Sequence, residues 1–422
     1  MASPVAMEDI RKRLERSRGK TLWIVGGRIS FDARTAVHAN IAIRNGLILG
    51  IADRSGPGAN YSSAETEALD LSGHLILPGL INAHDHLEFN LFPRLGNGPY
   101  PNYEEWAEAI YKPDQSPLAE HVAVPEGVRL WWGGLKNLLA GVTTVCHHNP
   151  YVASIFDSDF PVRVVKRFAW SHSLAFGKEI PSAFSSVDSH VPFIIHLCEG
   201  TDEKSAEEIF VLRGLGALDR RTVIVHGVGL GAAGHELVEG SGAAIIWCPT
   251  SNIFTLGQTL DAQTIMACRR MALGSDSALT AQGDLLDEIA FANHRHGITP
   301  ERIYSLVTDG AADVLRLRSG EGMLRPGARA DLIAFKDTGG SPADALVHAG
   351  ISRVELVILG GQPTLFSPEM TKRWPDEFRA SMESTRVGGV ERFVRAPVRW
   401  LMEETRKHLG DRFCLAGKEI CS

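Results

Sequence analysis

The chain has 422 residues, 44% of them hydrophobic and 22% charged, with a formal net charge of −7. This is the balance of an ordinary globular protein with room for one large domain and a smaller one. Mild acidity argues against nucleic acid or a membrane surface as partner, since each calls for a concentrated basic face, and no apolar run nears the roughly 20 residues that span a bilayer.

In chain order, residues 1–20 read as a charged, helix-like extension without the apolar core of a secretory signal. Residues 21–76 follow as short strands and turns (TLWIVGGRISF, NIAIRNGLILGIA, ALDLSGHLIL), with Asn45-Gly46 as a hairpin signal. A similar pattern returns within 320–368, in ARADLIAF and RVELVILGGQPTLF. Between them, over 77–319, apolar strand-like runs alternate with helical stretches, the pattern of a parallel sheet wrapped by helices. Seven such runs can be placed, at 79–86, 142–148, 162–170, 192–197, 222–227, 243–248 and 271–277. The fold class expected is α/β, a (β/α)8 TIM-like barrel. It is expected to be irregular between 149 and 196, where about one βα unit stands in place of two. Residues 369–422 read as a helical extension through APVRWLMEETRKHL, with Trp374 and Trp400 as apolar anchors. That tail packs on the barrel or joins a homodimer interface, dimers being the commonest default. The six cysteines are scattered and read as reduced thiols of a cytoplasmic protein.

The ionisable residues sit where chemistry is expected. In a parallel barrel the C-terminal strand ends form the active face, and His84, His86, His196, His226 and Asp276 fall at or just past such ends. Side chains two apart on a strand face the same way, so His84 and His86 can both aim into the mouth while Asp85 points toward the helices. With His196 and Asp276 they make a set of three imidazoles and one carboxylate. That set suits one divalent ion, Zn²⁺ first and Fe²⁺ as the alternative, with a position left for water. An isolated His-x-His is as readily a hydrogen-bonded surface pair; the other strand-end groups tip the balance toward a metal. Glu199 follows His196 by three residues and is expected just above the ion as general acid/base. His226, at the end of the next strand, is either a further ligand or, as preferred, the group that orients the water or polarises the bond under attack.

The ordered motifs LPGLINAHDH, HLCEGTDEKSAEEI, VHG, CPTSN, LGSDS and GMLRPGARADLIAF resemble the amidohydrolase superfamily. The branch concerned includes guanine, cytosine and S-adenosylhomocysteine deaminases and triazine chlorohydrolases, and the resemblance runs from about Thr21 to Phe366. It implies one metal held by His84, His86, His196 and Asp276, with Glu199 as acid/base and His226 as the water-orienting histidine. It also implies that 21–76 and 320–368 join in one small β-sandwich. No strand-end lysine offers a carbamylated bridge between two metals; Lys166 lies inside its run. The sequence departs from close relatives at Asp85 (more often Thr), at Gly229 (often His), and at His147-His148, where an acid or small residue is common.

The reading is therefore an aminohydrolase-like hydrolase that opens a non-peptide C–N bond of a small cyclic or heteroaromatic substrate through metal-activated water. Cyclic amide, carbamate or C–Cl hydrolysis is the alternative on the same site; an inactive barrel with a binding role is a third reading. A small molecule is the expected partner, with no nucleic acid and no membrane. Candidate substrate contacts are His147, His148, Asn90 and His172, and after them Glu88, Tyr100 and Trp106. Alternation sends only one of His147 and His148 inward.

Overall fold

The computed structural model describes residues 20–53, 66–157, 159–177, 179–374 and 379–421, so the reading of residues 1–20 lies, but for Lys20, outside the described residues. Six strands open the chain: β1 (Thr21–Val25), β2 (Arg28–Ser30), β3 (Ala36–Arg44), β4 (Leu47–Asp53), β5 (Thr66–Asp70) and β6 (His74–Pro78). Eight short strands follow: β7 (Leu80–Asp85), β8 (Val142–His147), β9 (Arg163–Val164), β10 (Ala169–Ser171), β11 (Phe193–Leu197), β12 (Thr222–His226), β13 (Ala244–Trp247) and β14 (Met271–Leu273). Seven close it: β15 (Leu332–Lys336), β16 (Val354–Leu359), β17 (Gln362–Phe366), β18 (Glu383–Val387), β19 (Val390–Val394), β20 (Cys414–Leu415) and β21 (Lys418–Cys421).

The two chain ends share one 13-stranded sheet. β15 runs antiparallel on β6, pairing Leu332 with Pro78, and β2 runs parallel on the other side of β6. Ile24, Ile41, Ile76, Leu332, Leu356 and Phe366 form the buried core of this layer. Asn45 and Gly46, both at positive φ, turn β3 into β4 as the dipeptide suggests.

The central strands are parallel and pair as a three-stranded sheet (β7-β8-β9) and a five-stranded sheet (β10 to β14), rather than as one continuous ladder. β7 and β14 meet through the Asp276 N–H, which donates to the His84 carbonyl at 3.0 Å. Runs such as Ile194-Ile195, Val223-Ile224-Val225 and Ala244-Ile245-Ile246 are buried throughout, as strands covered on both faces must be. The helix Glu126–Leu139 covers the crossover from β7 to β8 and buries Trp132, Leu135 and Leu138.

Two sequence expectations need correction. The single strand expected at 162–170 is two: β9 pairs with β8 and β10 with β11. Lys166 and Arg167 in the middle are exposed, Lys166 pairing with Asp157 at 2.8 Å, and a buried strand cannot carry two solvated cations. The tail is also not a purely helical extension: among its described residues the long helix is Val398–Leu409, after a short 3-10 turn at Met370–Arg373, and the hairpins β18–β19 and β20–β21 flank it and lengthen the large sheet. Trp374 is buried against Phe366, and Trp400 packs half-buried on the core. No described helix is long and apolar enough to cross a membrane.

Candidate active site

His84, His86, His196, His226 and Asp276 converge at the C-terminal ends of β7, β11, β12 and β14. The His196 Nε2 lies 3.2 Å from the His84 Nε2 and 3.4 Å from the His86 Nε2. Asp276 Oδ1 is 3.7 Å from the His84 Nε2 and 3.9 Å from the His86 Nε2. Donors about 2.05 Å from a tetrahedral Zn²⁺ stand ~3.3 Å apart, close to these nitrogen spacings. Burial pushes His84 below its ordinary pKa and His86 and His196 well below theirs, so all three rings are neutral at pH 7. Neutral nitrogens turned on one another need a shared cation or proton, and a metal satisfies all of them together.

The ring orientations are fixed from behind. His196 Nδ1 donates to the His172 carbonyl at 2.7 Å, leaving Nε2 free to ligate. Asn149 Nδ2 stands 3.3 Å from the His86 Nδ1 and donates from the same nitrogen to Glu88 Oε1. Ser251 Oγ donates to Asp276 Oδ2 at 2.7 Å, and Thr280 Oγ1 lies 3.2 Å from the same oxygen. Burial alone would raise the Asp276 pKa; His84, with His226 and His86, outweighs it and holds the carboxyl well below its ordinary value. His226 and Asp276 both adopt positive φ, 74° and 54°, as does Cys198 at 53°. Side chains rarely accept this conformation, and it concentrates where a site fixes the direction of a group.

Glu199 lies two residues past β11, its side chain only 12% exposed, with Oε2 3.6 Å from the His226 Nε2. Burial pushes its carboxyl up to about 7, poised to take and return a proton near neutrality. His226 Nδ1 bonds Asn252 Oδ1 at 2.7 Å, which directs Nε2 into the site. Asn252 and Ser251 belong to the CPTSN motif, whose two polar side chains brace His226 and Asp276; the sequence offered that motif without disclosing their roles.

Behind the ligands, Asp85 points away from the mouth, as alternation requires. It meets Lys136 Nζ at 2.9 Å, Asn137 Nδ2 at 2.7 Å and Asn90 Nδ2 at 2.9 Å. Lys136, itself buried, also donates to Ser275 Oγ at 2.9 Å and to the Asp276 carbonyl at 3.1 Å. The partners of Asp85 in this network were not singled out as such from sequence, because Lys136 and Asn137 look like any polar pair in an amphipathic helix.

A cavity of about 340 Å³ opens over these groups. His86, His196, Glu199, His226 and Asp276 line its floor, and Phe89, Tyr103, Trp106, Tyr111, Phe176 and Leu279 its walls. Of the candidate substrate contacts, His172 and Trp106 line this cavity. The remaining candidates stand elsewhere. Asn90 serves Asp85 from behind the strand. His147 turns outward, taking the Leu87 N–H at 3.3 Å and facing Phe156. Tyr100 takes the Asn97 N–H at 3.0 Å in its own loop, and Glu88 sits behind Asn149. His148 is the inward member of its pair, with its ring centroid 4.4 Å from that of His196.

Residues 183–364 match the sequence profile of the amidohydrolase family. Among curated proteins, the 5-methylthioadenosine/S-adenosylhomocysteine deaminase of Pyrococcus furiosus is 23% identical over 376 residues, 71% of this chain and 83% of that one. The 8-oxoguanine deaminase of Pseudomonas aeruginosa is 25% identical over 393 residues, 74% and 86% of the two chains. Among solved structures, a zinc-bound adenosine deaminase from Xanthomonas campestris superposes with a TM-score of 0.69 at 16% identity, covering 92% of this chain and 98% of its own. A zinc complex of atrazine chlorohydrolase from Arthrobacter aurescens gives 0.64 at 17% identity, over 81% and 95%.

Proposed function

The chain contains an amidohydrolase-family domain, and from that premise we propose that it is a metal-dependent aminohydrolase opening a non-peptide C–N bond of a small heteroaromatic substrate. The observation that carries the reading is the pair of facing His Nε2 contacts, 3.2 and 3.4 Å, beside an ionised Asp276 and a buried Glu199. The residues assigned to one divalent ion, Zn²⁺ by donor type, are His84, His86, His196 and Asp276. When bound, such an ion supplies Lewis acidity that brings the pKa of water from ~15.7 toward ~7.

The chain's own groups do the rest. Asp276 and His226, the latter held by Asn252, orient the attacking water. Glu199 takes a proton from that water as its oxygen bonds to the sp² carbon, and then delivers the proton to the departing nitrogen as the C–N bond breaks. Water is consumed and ammonia or an amine leaves, with no redox change. The aromatic walls suit a flat ring stacked over the floor. Among the described residues none of the lining side chains is Lys or Arg, which favours a substrate without phosphate or carboxylate. The triazine-hydrolase likeness keeps C–Cl or amide hydrolysis as the second reading, since an aromatic-walled cavity over the same floor serves either leaving group.

We assign β7 to β14 to the eight strands of a TIM-like barrel, 77–319 to that barrel, and 21–76 with 320–368 to the accompanying β-sandwich. The sheet shared by the chain ends and the likeness to zinc-bound structures over most of the chain support this division. The test is metal analysis of purified protein followed by an ammonia-release screen over nucleobases, pterins and aminotriazines. One equivalent of metal with ammonia released is expected. Absence of metal, or chloride release without ammonia from chlorotriazines, would overturn the aminohydrolase reading.

A further inference from the structure

We infer that His148 is a further donor to the same ion, so that four imidazoles rather than three hold it beside Asp276; this rests on the metal-dependent reading above. His148 stands one residue past β8 and is fully buried. Its ring centroid lies 4.4 Å from His196, 5.1 Å from His84 and 5.8 Å from His86. One nitrogen from each of His84, His86, His148 and His196 lies within 4.8 Å of the other three.

The tautomer identifies the free nitrogen. His148 Nε2 faces the Ser171 carbonyl at 3.2 Å; a carbonyl only accepts, so Nε2 carries the hydrogen and Nδ1 the lone pair. That Nδ1 is buried without a hydrogen-bond partner. A ligating imidazole has this arrangement, one nitrogen anchored to a carbonyl and the other left bare. Substrate does not account for the lone pair, because His148 is not among the residues lining the cavity. Two donors on opposite sides of a Zn²⁺-sized ion are ~4.2 Å apart, so the spacing within the cluster falls close to the range of one coordination sphere.

The consequence is a preference among metals. Four imidazoles and a carboxylate exceed the four donors that Zn²⁺ ordinarily takes. An ion that accepts six, such as Fe²⁺, Co²⁺ or Ni²⁺, retains one position for water. His148 is then part of what selects the metal.

The experiment loads the full chain, freed of metal, with Co²⁺ and compares it with His148→Phe and His148→Gln. X-ray absorption counts the imidazoles, and the visible d–d band reports coordination number. Four imidazoles are expected in the unaltered protein and three in both variants. The band should strengthen severalfold as coordination falls, and affinity for Co²⁺ should drop at least the ~10–100-fold typical of supporting groups around a metal. Three imidazoles in the unaltered protein, or a spectrum and affinity indifferent to position 148, overturns the inference while leaving the enzyme reading intact. Failure of the unaltered protein to bind Co²⁺ sinks the metal-dependent reading itself. The imidazole count in the unaltered protein decides the matter even if neither variant folds.

Discussion

Replacing Asp85 by Asn isolates one electrostatic contact behind the site. Asp85 is fully buried, and its Oδ2 meets the Lys136 ammonium at 2.9 Å and the Asn137 amide at 2.7 Å, while Oδ1 takes the Asn90 amide at 2.9 Å. An asparagine keeps the volume and can leave its carbonyl toward Lys136 and Asn137. Its amide then faces the Asn90 Nδ2, which also donates to the His86 and Leu87 carbonyls at 3.3 Å, so the bond between residues 85 and 90 is given up. Packing and the bonds to Lys136 and Asn137 survive, and the main loss, beside one hydrogen bond to Asn90, is the counter-charge of a buried ammonium. Breaking a buried pair this way costs ~3–5 kcal/mol, a large part of the ~5–15 kcal/mol that holds a domain folded. Urea denaturation followed by circular dichroism should show the unfolding free energy falling by that amount, as an earlier midpoint at an unchanged slope. Lys136→Met on top of Asp85→Asn should recover most of the loss, because no uncompensated charge then remains. A cost below ~1 kcal/mol for the single variant, or a double variant as unstable as the sum of both singles, refutes the reasoning.

Other expectations follow from the same geometry. Glu199→Gln should lower turnover by ~10²–10⁴ while the ion stays bound, read by steady-state ammonia release alongside metal content; near-normal turnover removes Glu199 from its role. Glu288, buried against Thr250 in the helix that carries Ser251 and Asn252, has its carboxyl raised by burial to about 8. The folded state therefore holds a proton that the unfolded chain releases near 4.5, and stability should decline as pH rises from about 4.5 to about 8. Glu288→Gln should flatten that decline in denaturation curves at pH 5.5 and 8.5; a slope identical to the unaltered protein's counts against it. Saturating the metal-free protein with Zn²⁺ at a thousand times its Kd should add ~4.1 kcal/mol of stability. A melting temperature indifferent to Zn²⁺ and to chelator would contradict a shared ion.

What the sequence disclosed follows from which physical signals are local. Continuous Ile and Val runs ending in His or Asp located the buried strands and the functional mouth, because burial and strand polarity act over five or six residues. The direction of Asp85 came from alternation alone. The choice between His147 and His148 did not, since it depends on where β8 stops, and pattern reading is weakest at element ends. Asn90 looked like a mouth residue but turns back to Asp85, a contact set by a short helical turn, Leu87–Phe89, that no periodicity announces. The hairpin β18–β19 was legible and went unread: Gly388-Gly389, at φ 57° and 78°, separates two β-prone runs. The Asp85–Lys136–Ser275 cluster joins residues up to 190 positions apart, and single-sequence pattern carries nothing over such separations.

The pairing of β6 with β15 bears on how the polypeptide is made. β6 must wait for a neighbour encoded about 250 residues downstream, which at ~5–20 residues per second is roughly 10–50 s of translation. Throughout that interval the nascent chain presents an apolar strand with open hydrogen-bonding groups on one side, an invitation to pairing with other molecules. Its yield in a cell should therefore depend on translation speed and on holding chaperones more steeply than its equilibrium stability would suggest.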